Sequence, residues 1–527
     1  MLIPMLLLIL GVVLLGSLVA ILLWRRFYRD DQQNTARRLL KNSTVPFITR
    51  FVVLGLEFVF LMVLYSMLPA AEIGPYTLAA LLVAQYLGTF TEFGLGILLT
   101  REVAREPHNG PRLFGATLAL RLVLVLVAVP VAASFIGNYQ LLAQLQMGEA
   151  ISPVGQQVIW ILLLTLIPAA YSGSVTALFH AAEQMEVPAM IEMMTAVISM
   201  MVRIGLLLLG FGIVGLAWSA VAVSTCTALM YFVLQLRRFF RPSLCWNSAL
   251  IWSLLPIALP LMLNNLLNMV FFRFDTFLIK AYGGGQGDLL LQQYAMPYQI
   301  LRIALIVPPV ITFALFPMLS RRAAGERSAL VQTQNQTLKV MLLLAFPIAM
   351  GICILAPDLV SFFARRHAAD YLPISAEVLA LLAWFLPLSF VNGLLQYVLI
   401  AINQQHAITR AFLIGAFVNL TLNILFIPLF GLYAASVITI LSEVVLLAVF
   451  WPLLRREGLQ PPLLHLSWRP ALASAIMGLA MVLLPSPGWF ITALVALPVY
   501  GIALWWLGAF GSEERLLLRQ ILGRHTS

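Results

Sequence analysis

Long apolar segments follow one another along almost the whole sequence, with only short polar linkers between them. Most segments reach the roughly 20 residues that an α-helix needs to cross the hydrocarbon core of a bilayer. Backbone polar groups find no water partners in lipid, so spanning segments of this kind form helices. About fifteen segments are recognisable, and they lie near residues 2–24, 45–68, 76–99, 113–136, 155–178, 188–209, 211–236, 251–281, 289–318, 335–356, 374–400, 407–428, 431–454, 468–485 and 488–510. The sequence therefore predicts an all-α polytopic membrane protein with about 14–15 transmembrane helices.

The composition excludes a soluble protein. The chain is 62% hydrophobic and only 10% charged, far from the balance of soluble globular domains. Its net charge of +10 does not indicate a nucleic-acid partner, because the arginines lie in short runs between apolar segments, where they set membrane orientation. The three cysteines and six histidines lack the spacing of a disulfide framework or a metal site, so no metal is expected.

Basic loops determine the predicted orientation. Arg25, Arg26 and Arg29 directly follow the first apolar segment, and by the positive-inside rule they place the N-terminus outside. Later basic loops alternate with loops that lack Lys and Arg, except that Arg365 and Arg366 fall on the predicted outer side. This alternation places the C-terminal tail in the cytoplasm.

Two hairpins indicate a weak internal repeat. In both Thr49–Arg105 and Asn264–Arg322, Arg-Phe lies near the first helix, the outer turn contains glycine, and the second helix ends in a basic run. Repeated halves that place such hairpins in equivalent positions are common among transporters. We therefore divide the chain into an extra N-terminal transmembrane helix with a cytoplasmic amphipathic linker (1–44), an N-terminal six-helix bundle (45–240), a C-terminal six-helix bundle (241–456), and two additional helices with a cytoplasmic tail (457–527).

Ionisable side chains at membrane depth are costly, so each is a functional candidate, although many only bond to neighbouring helices. Arg50 and Glu57 are seven positions apart and share one helix face. On the next helix Glu92 shares a face with Gln85 and Thr89. Both stripes are candidates for lining one cavity.

Prolines predict bends in two segments. The segment 251–281 would be about 45 Å long if fully helical, more than the hydrocarbon thickness, and Pro256 and Pro260 lie in its first half. We expect a bent, mobile helix there. Pro308-Pro309 predicts a second kink, in segment 289–318.

Several polar residues follow these prolines in segment 251–281. Asn264, Asn268 and Asp275 form one stripe, whereas Arg273 and Lys280 project from the opposite side of the helix. Lys280 is expected to reach the membrane interface with its long side chain. Arg273 lies about two turns deeper.

Two further arginines lie inside apolar segments. Arg203 shares a helix face with Glu192 but lies roughly 16 Å from it, so the two cannot pair with each other. Arg302 is the most centrally placed arginine of the chain, and Gln299 lies on the same broad face. Both arginines either face a hydrated cavity or bond to neighbouring helices.

The remaining polar features have structural interpretations. Asn392, Gln396 and Asn403 form a stripe that we expect to bond between helices. Gly283–Gly287 lacks the Lys-Ser/Thr of a phosphate loop and is expected to be a flexible turn. The longest outer loop offers only Glu149 as a carboxylate, and no ATP-binding motif is present. The chain is therefore not expected to be an enzyme.

Several motifs resemble those of polysaccharide-type oligosaccharide flippases. The outer turn Leu68-Pro-Ala-Ala-Glu-Ile-Gly-Pro-Tyr76 is similar to the Gly-x-Tyr turn of that family. Thr91-Glu-Phe-Gly-Leu95 and Arg101-Glu-Val-Ala-Arg105 resemble its Gly-Leu helix ending and its Arg-Glu-x-Ala-Arg run. A second block comprises Phe274-Asp275, Gln293-Tyr-Ala-Met-Pro-Tyr298 and Phe316-Pro-Met-Leu-Ser-Arg321.

This resemblance implies membership of the multidrug/oligosaccharidyl-lipid/polysaccharide exporter superfamily, with two six-helix bundles around a central cavity. Such proteins carry an undecaprenyl-diphosphate-linked oligosaccharide to the outer leaflet of the bacterial inner membrane by alternating access. The final two helices are similar to an extra pair found in many members, whereas the N-terminal helix departs from the usual plan and is a candidate docking element for polysaccharide assembly proteins. A coupling ion, H⁺ or Na⁺, would be the sole cofactor-like species.

The cargo predicts the kinds of residue that would line the path. Fixed cations would compensate the anionic diphosphate, and the candidates are Arg302, Arg273, Arg50 and Arg203. Polar residues that would line the cavity or couple an ion are Asp275, Glu57, Glu92, Asn264, Asn268 and Gln299. Each of the three carboxylates is also a candidate partner for an arginine.

Three other functions stay open at this point. A lipid II flippase is barely distinguishable by sequence pattern, and a cation-coupled multidrug extruder would favour an anionic cavity. A noncatalytic membrane scaffold of an exopolysaccharide export complex is the alternative of another class. Intramembrane charges argue against the scaffold, because a purely structural protein has little reason to retain them.

Overall fold

The computed structural model describes Gly11 and residues 35–509, apart from residues 245, 247, 326 and 484–487. In this part of the chain every regular element is helical, and thirteen helices are long and apolar enough to cross a membrane. The all-α membrane fold expected from the apolar segments is therefore confirmed. The predicted N-terminal helix at 2–24 and most of the cytoplasmic tail lie outside the described residues.

The helices are numbered here in chain order. The first nine are α1 (Thr35–Met67), α2 (Ala70–Ala80), α3 (Gly88–Glu92), α4 (Leu95–Arg105), α5 (Gly110–Gln144), α6 (Pro153–Leu163), α7 (Leu166–Ala181), α8 (Glu186–Leu208) and α9 (Gly212–Arg238). The others are α10 (Ser248–Ala281), α11 (Gly287–Ala304), α12 (Val307–Ala323), α13 (Arg327–Ile354), α14 (Ala356–Ala364), α15 (Ala368–Tyr371), α16 (Ile374–Leu382), α17 (Phe385–Ala401), α18 (Gln405–Arg456), α19 (Leu463–Leu483) and α20 (Trp489–Trp506). A π-helical turn, Leu81–Leu87, joins α2 to α3.

Several membrane segments are broken instead of continuous. The segment predicted at 289–318 is two helices, because Pro308 and Pro309 lack the N–H groups that a continuous helix needs. Conversely, the two segments predicted at 407–428 and 431–454 meet directly at Gly431, whose φ of 57° and ψ of −134° interrupt α18. Helix α10 is continuous through Pro256 and Pro260.

The chain divides into two compact units. The first comprises residues up to Met269 together with Lys280–Gln292 and Phe363–His367. Its core includes Phe114 and Phe179, which are fully buried among apolar side chains of α4, α5, α7, α8 and α9. In this unit α1 packs along α8.

The second unit comprises Val270–Ile279, Gln293–Phe362 and the chain from Ala368 onward. Within it α19 and α20 pack on each other, and α19 packs on α13. Small residues such as Ala473 and Ala503 are buried at these contacts, which lets membrane helices approach closely. The hydroxyl of Tyr500 donates to the main-chain oxygen of Leu343 at 2.8 Å.

Candidate functional site

A ladder of tyrosine hydroxyls connects three helices of the second unit. Asp275 on α10 is only 3% exposed, and the hydroxyl of Tyr294 donates to its Oδ2 at 2.5 Å. Tyr298, one helical turn further along α11, lies 3.3 Å from the Tyr294 hydroxyl. Its own hydroxyl lies 2.9 Å from Oγ1 of Thr439 on α18. Asp275 is therefore held inside a continuous hydrogen-bonded network.

Arg273 reaches the same network. Its Cζ lies 4.9 Å from the ring centroid of Tyr298, which is the geometry of a cation–π contact. Helical spacing places positions 273 and 275 on different faces, yet the long side chain of Arg273 brings its charge to the tyrosine ladder. Tyr294 and Tyr298 both lie in the motif Gln293–Tyr298 noted in the sequence. The motif alone did not show that these tyrosines connect Arg273 to Asp275.

A second buried carboxylate in this unit escaped the sequence analysis. Glu443 on α18 is 2% exposed, and Nδ2 of Asn392 donates to its Oε2 at 2.6 Å and to its main-chain oxygen at 2.8 Å. Ser389 also hydrogen bonds to the Glu443 carboxylate. The interhelical bonding expected of Asn392 is confirmed. A single carboxylate within the apolar segment 431–454 was the available signal for Glu443.

The other two candidates of the second unit lie on α11. Gln299 is half-buried, and its Oε1 is buried without a hydrogen-bond partner. Arg302 is also half-buried and lies near the break between α11 and α12. An amide oxygen without a donor and a cation on one helix are suited to a polar ligand.

In the first unit Glu92 both caps a helix and pairs with an arginine. Its carboxylate accepts from the N–H groups of Gly94 at 2.8 Å and Gly96 at 2.9 Å. Phe93 and Gly94 have φ values of 52° and 71°, so the chain turns sharply before α4 begins. Nη2 of Arg121 lies 3.4 Å from Glu92 Oε1. The arginine pairing, one of the two roles predicted for Glu92, is present in the structure, and the role in lining a cavity or coupling an ion stays a prediction.

Arg121 is the more deeply buried partner and was missed by the sequence analysis. Only 2% of its side chain is exposed, and its Nη1 donates to the main-chain oxygen of Ala170 at 3.3 Å. Gly173 makes room for it, because a Cβ there would lie 2.6 Å from Nη1. Its position inside the apolar segment 113–136 was the signal that could have found it.

The contact between α1 and α8 brings three charged residues close together. Arg50 and Glu57 are exposed on α1, and their charges act on Glu192 of α8. Arg203, further along α8, is half-buried with its Cζ 5.2 Å from the ring centroid of Phe60. Arg203 and Glu192 therefore engage different partners, as their separation along the helix predicted.

Asn264 and Asn268 are exposed on α10. The same stretch of α10 is anchored by the π-helical turn and α3, since the hydroxyl of Tyr86 donates to the main-chain oxygen of Met269 at 3.0 Å. Thr89 Oγ1 lies 3.3 Å from the sulfur of Met269. Both asparagines thus lie on a stretch of α10 that is anchored by these contacts.

The expectation for Lys280 is wrong. Its side chain is completely buried, and Nζ lies 2.5 Å from Glu149 Oε1 and 3.1 Å from Asp288 Oδ2. The loop after α5 folds over the glycine turn that follows α10, where the N–H of Gly287 donates to Glu149 at 2.6 Å. The loop thereby supplies a local counter-charge, so Lys280 does not extend to the interface.

These features can be compared with known proteins. The family model described as polysaccharide biosynthesis protein matches residues 39–323, more than half of the 527-residue chain. The chain belongs to this family. A second family model, described as lipid II flippase MurJ, matches residues 285–499. No curated protein sequence matches the chain.

Solved structures share the fold. A structure described as lipid II flippase MurJ in an inward closed conformation is 14% identical, with a TM-score of 0.68, and the match covers 88% of this chain and 98% of that one. An inward-facing multidrug resistance MATE transporter of the MOP superfamily is 17% identical, with a TM-score of 0.58 and coverage of 76% and 94%. A MOP-superfamily transporter from Pyrococcus furiosus is 15% identical, with a TM-score of 0.53 and coverage of 80% and 95%.

These matches confirm the resemblance to polysaccharide-type flippases that the sequence motifs indicated. The chain shares its fold with transporters of the MOP superfamily, and it is a multi-pass membrane protein. The family match supplies what the contacts alone do not, namely the link to polysaccharide synthesis.

Proposed function

We propose that this protein flips an undecaprenyl-diphosphate-linked oligosaccharide from the cytoplasmic to the outer leaflet of a bacterial inner membrane. The observation that carries the proposal is the polysaccharide biosynthesis family match over residues 39–323 in a chain with the MOP-superfamily fold. A polysaccharide pathway that crosses a membrane needs a carrier for the lipid-linked unit. The N-terminus lies outside and the C-terminus lies in the cytoplasm.

The chemistry of the cargo sets two requirements: its polar head group needs compensating groups inside the membrane, and its apolar tail needs to stay in lipid. A polar glycan and an anionic diphosphate cannot cross hydrocarbon unaided, because unsatisfied polar groups and charges are costly there. The four candidate arginines lie on helices long and apolar enough to span the membrane. Their guanidinium groups supply paired donors that match phosphate oxygens. The polyprenyl tail stays in lipid while the head group passes.

The tyrosine ladder supports a ligand-handling role for the second unit. Arg273 lies over Tyr298, and the ladder ends on the buried Asp275 carboxylate. A cation and a carboxylate joined through hydroxyls can exchange partners when an anionic ligand arrives. We propose that Arg273 and Arg302 bind the diphosphate and that Asp275 takes part in the coupled movement, which an H⁺ or Na⁺ gradient drives through alternating access.

Lipid II is a second candidate cargo. It is favoured by the match of residues 285–499 to the lipid II flippase family model. It shares the undecaprenyl-diphosphate carrier with other lipid-linked oligosaccharides, so the same arginines would serve either cargo.

Lipid analysis of a deletion strain tests the proposal and separates the two cargoes. Lipids are extracted and examined by mass spectrometry, and a membrane-impermeant lectin reports the leaflet. Accumulation of a complete repeat unit on the inner leaflet supports the oligosaccharide flippase. Accumulation of lipid II with arrested cell-wall growth supports the second cargo. No accumulation in a strain shown to synthesise such lipids contradicts both.

A further inference from the structure

An exposed polar side chain lies in the middle of a packed helix face in the first unit. On α10, Leu261 packs against Gly94, where a Cβ would lie 2.7 Å from Cβ of Leu261, and the main-chain oxygen of Met269 accepts from the hydroxyl of Tyr86. Asn265 lies four residues after Leu261 and four before Met269, so it is on the same side of α10. Because Asn265 is nevertheless exposed, a recess separates it from the facing segment.

The facing segment contributes polar side chains to the same place. Gln85 and Thr89 share one face of this segment, and Thr89 Oγ1 lies 3.3 Å from the sulfur of Met269, so that face is turned toward α10. Gln85 is exposed, as is Asn268, the residue that precedes Met269. We call the surface formed by Gln85, Thr89, Asn265 and Asn268 the amide recess. All four residues belong to the first unit.

The three amides of the recess have hydrogen-bonding capacity to spare. In the described part of the chain, none of the side chains of Gln85, Asn265 and Asn268 hydrogen bonds to another residue. Asn265 and Asn268 lie midway along α10, which is long and apolar enough to cross the membrane. An amide without a partner is costly against lipid tails, and polar side chains at this depth bond to neighbouring helices or line a hydrated path. With no helix partner, these amides mark a surface that water or a ligand contacts.

The backbone of the facing segment is irregular on both sides of its polar stripe. Residues Leu81–Leu87 form a π-helical turn, a rare conformation that occurs frequently at functional sites. Phe93 and Gly94 then adopt left-handed conformations. Strained or rare backbone conformations of this kind cluster at ligand sites. The irregular backbone of this segment therefore coincides with the wall of the amide recess.

The chemistry of the recess suits sugar hydroxyls better than phosphate. Each amide both donates and accepts hydrogen bonds, as each hydroxyl does. None of the four residues is charged, and the nearby Glu92 carboxylate, 38% exposed, repels an anion. We infer that the amide recess binds the sugar residues of the lipid-linked cargo. This inference rests on the proposed function and adds to it a separate site for the glycan, apart from the arginines proposed to bind the diphosphate.

Native mass spectrometry of the full-length protein in nanodiscs tests the site with two probes. One is undecaprenyl diphosphate, and the other is the undecaprenyl-diphosphate-linked oligosaccharide purified from the organism's own membranes. Wild type should bind the glycan-bearing lipid at least about tenfold more tightly, because only its hydroxyls pair with the amides. The triple variant Gln85→Leu, Asn265→Leu, Asn268→Leu should lose this preference and still bind undecaprenyl diphosphate as wild type does. Gln157→Leu, at an exposed amide of α6, is the matched control and should keep the preference.

The two probes separate failure of this site from failure of the proposed function. Loss of the preference in the triple variant, with the control intact, supports the amide recess. Equal affinity of wild type for both lipids overturns the recess, leaves the flippase proposal standing, and does not depend on how any variant folds. If the triple variant does not fold, the single variants Asn265→Leu and Asn268→Leu are measured, and an unchanged preference in both overturns the recess. A folded wild type that binds neither lipid contradicts the proposed function, and the recess assignment with it.

Discussion

Lys280 and Glu149 form an ion pair with an Nζ to Oε1 distance of 2.5 Å, although 131 positions separate them in the chain. The pair joins the loop after α5 to the turn between α10 and α11. Asp288 completes the cluster from the first turn of α11. A lysine without any exposed surface depends entirely on these two carboxylates for its charge to be tolerated.

Removing Lys280 should therefore be costly. Lys280→Met leaves two carboxylates close together without a counter-charge, and we expect the free energy of unfolding to fall by about 3 kcal/mol. Thermal unfolding of the purified protein in detergent measures this change. Arg456→Met, at an exposed residue near the end of α18, should change little. If the triple variant Lys280→Met, Glu149→Gln and Asp288→Asn is no more stable than Lys280→Met, the explanation by unpaired charge is wrong.

Glu92 should matter for stability more than for transport. Glu92→Ala removes the cap of α4 and the partner of Arg121, and should cost about 2 kcal/mol. Glu92→Gln keeps an oxygen for one of the two N–H groups, that of Gly94 or that of Gly96, so the loss of stability should be smaller and transport should be retained in a strain that depends on the protein. Loss of transport by a stably produced Glu92→Gln would instead place this carboxylate in ion coupling.

Two helical glycines offer a matched test of close packing. A Cβ at Gly74 would meet the main-chain oxygen of Asp288, so Gly74→Ala should destabilise the protein by about 1–3 kcal/mol. Gly55 in α1 has open space around its Cα, and Gly55→Ala should be neutral or stabilise by about 0.5–1 kcal/mol. Thermal unfolding of the two variants, measured side by side, compares their stabilities. Equal changes in stability would contradict the close contact between position 74 and Asp288.

Arg302→Ala should abolish translocation while leaving protein abundance near normal, because the proposed role of this arginine is to bind the diphosphate of the cargo. Complementation of the deletion strain, with immunoblotting for abundance, measures both quantities. Arg321→Ala is the control, since Arg321 is exposed in the last turn of α12. Normal transport by Arg302→Ala would remove Arg302 from the proposed binding site.

Hydropathy was sufficient for the architecture, because the length and apolarity of each segment are local properties of the sequence. The break between α11 and α12 was also predictable, since Pro308 and Pro309 act within their own helix. The exact helix ends were not, and neither was the direct meeting of two segments at Gly431, where the turn depends on a single left-handed glycine.

The partners of charged residues were not predictable from local pattern. Lys280 was expected at the interface because its counter-charge, Glu149, comes from a distant loop. Arg121 and Glu443 could have been noted as single charges in otherwise apolar segments, but their partners, Ala170 in one case and Asn392 in the other, lie on other helices. Helical spacing groups residues on one helix, but it does not show which neighbouring helix completes a site.

Reconstitution tests the central claim most directly. The purified protein is placed in vesicles that contain an undecaprenyl-diphosphate-linked oligosaccharide, and a lectin added outside reports how much glycan becomes accessible under an imposed ion gradient. The proposed function predicts that accessibility rises beyond the outer-leaflet fraction in vesicles with wild type, and does not rise in protein-free vesicles or with Arg302→Ala. Accessibility that stays at the outer-leaflet fraction with folded wild-type protein, under both H⁺ and Na⁺ gradients, would contradict the proposal that the protein is a lipid-linked oligosaccharide flippase.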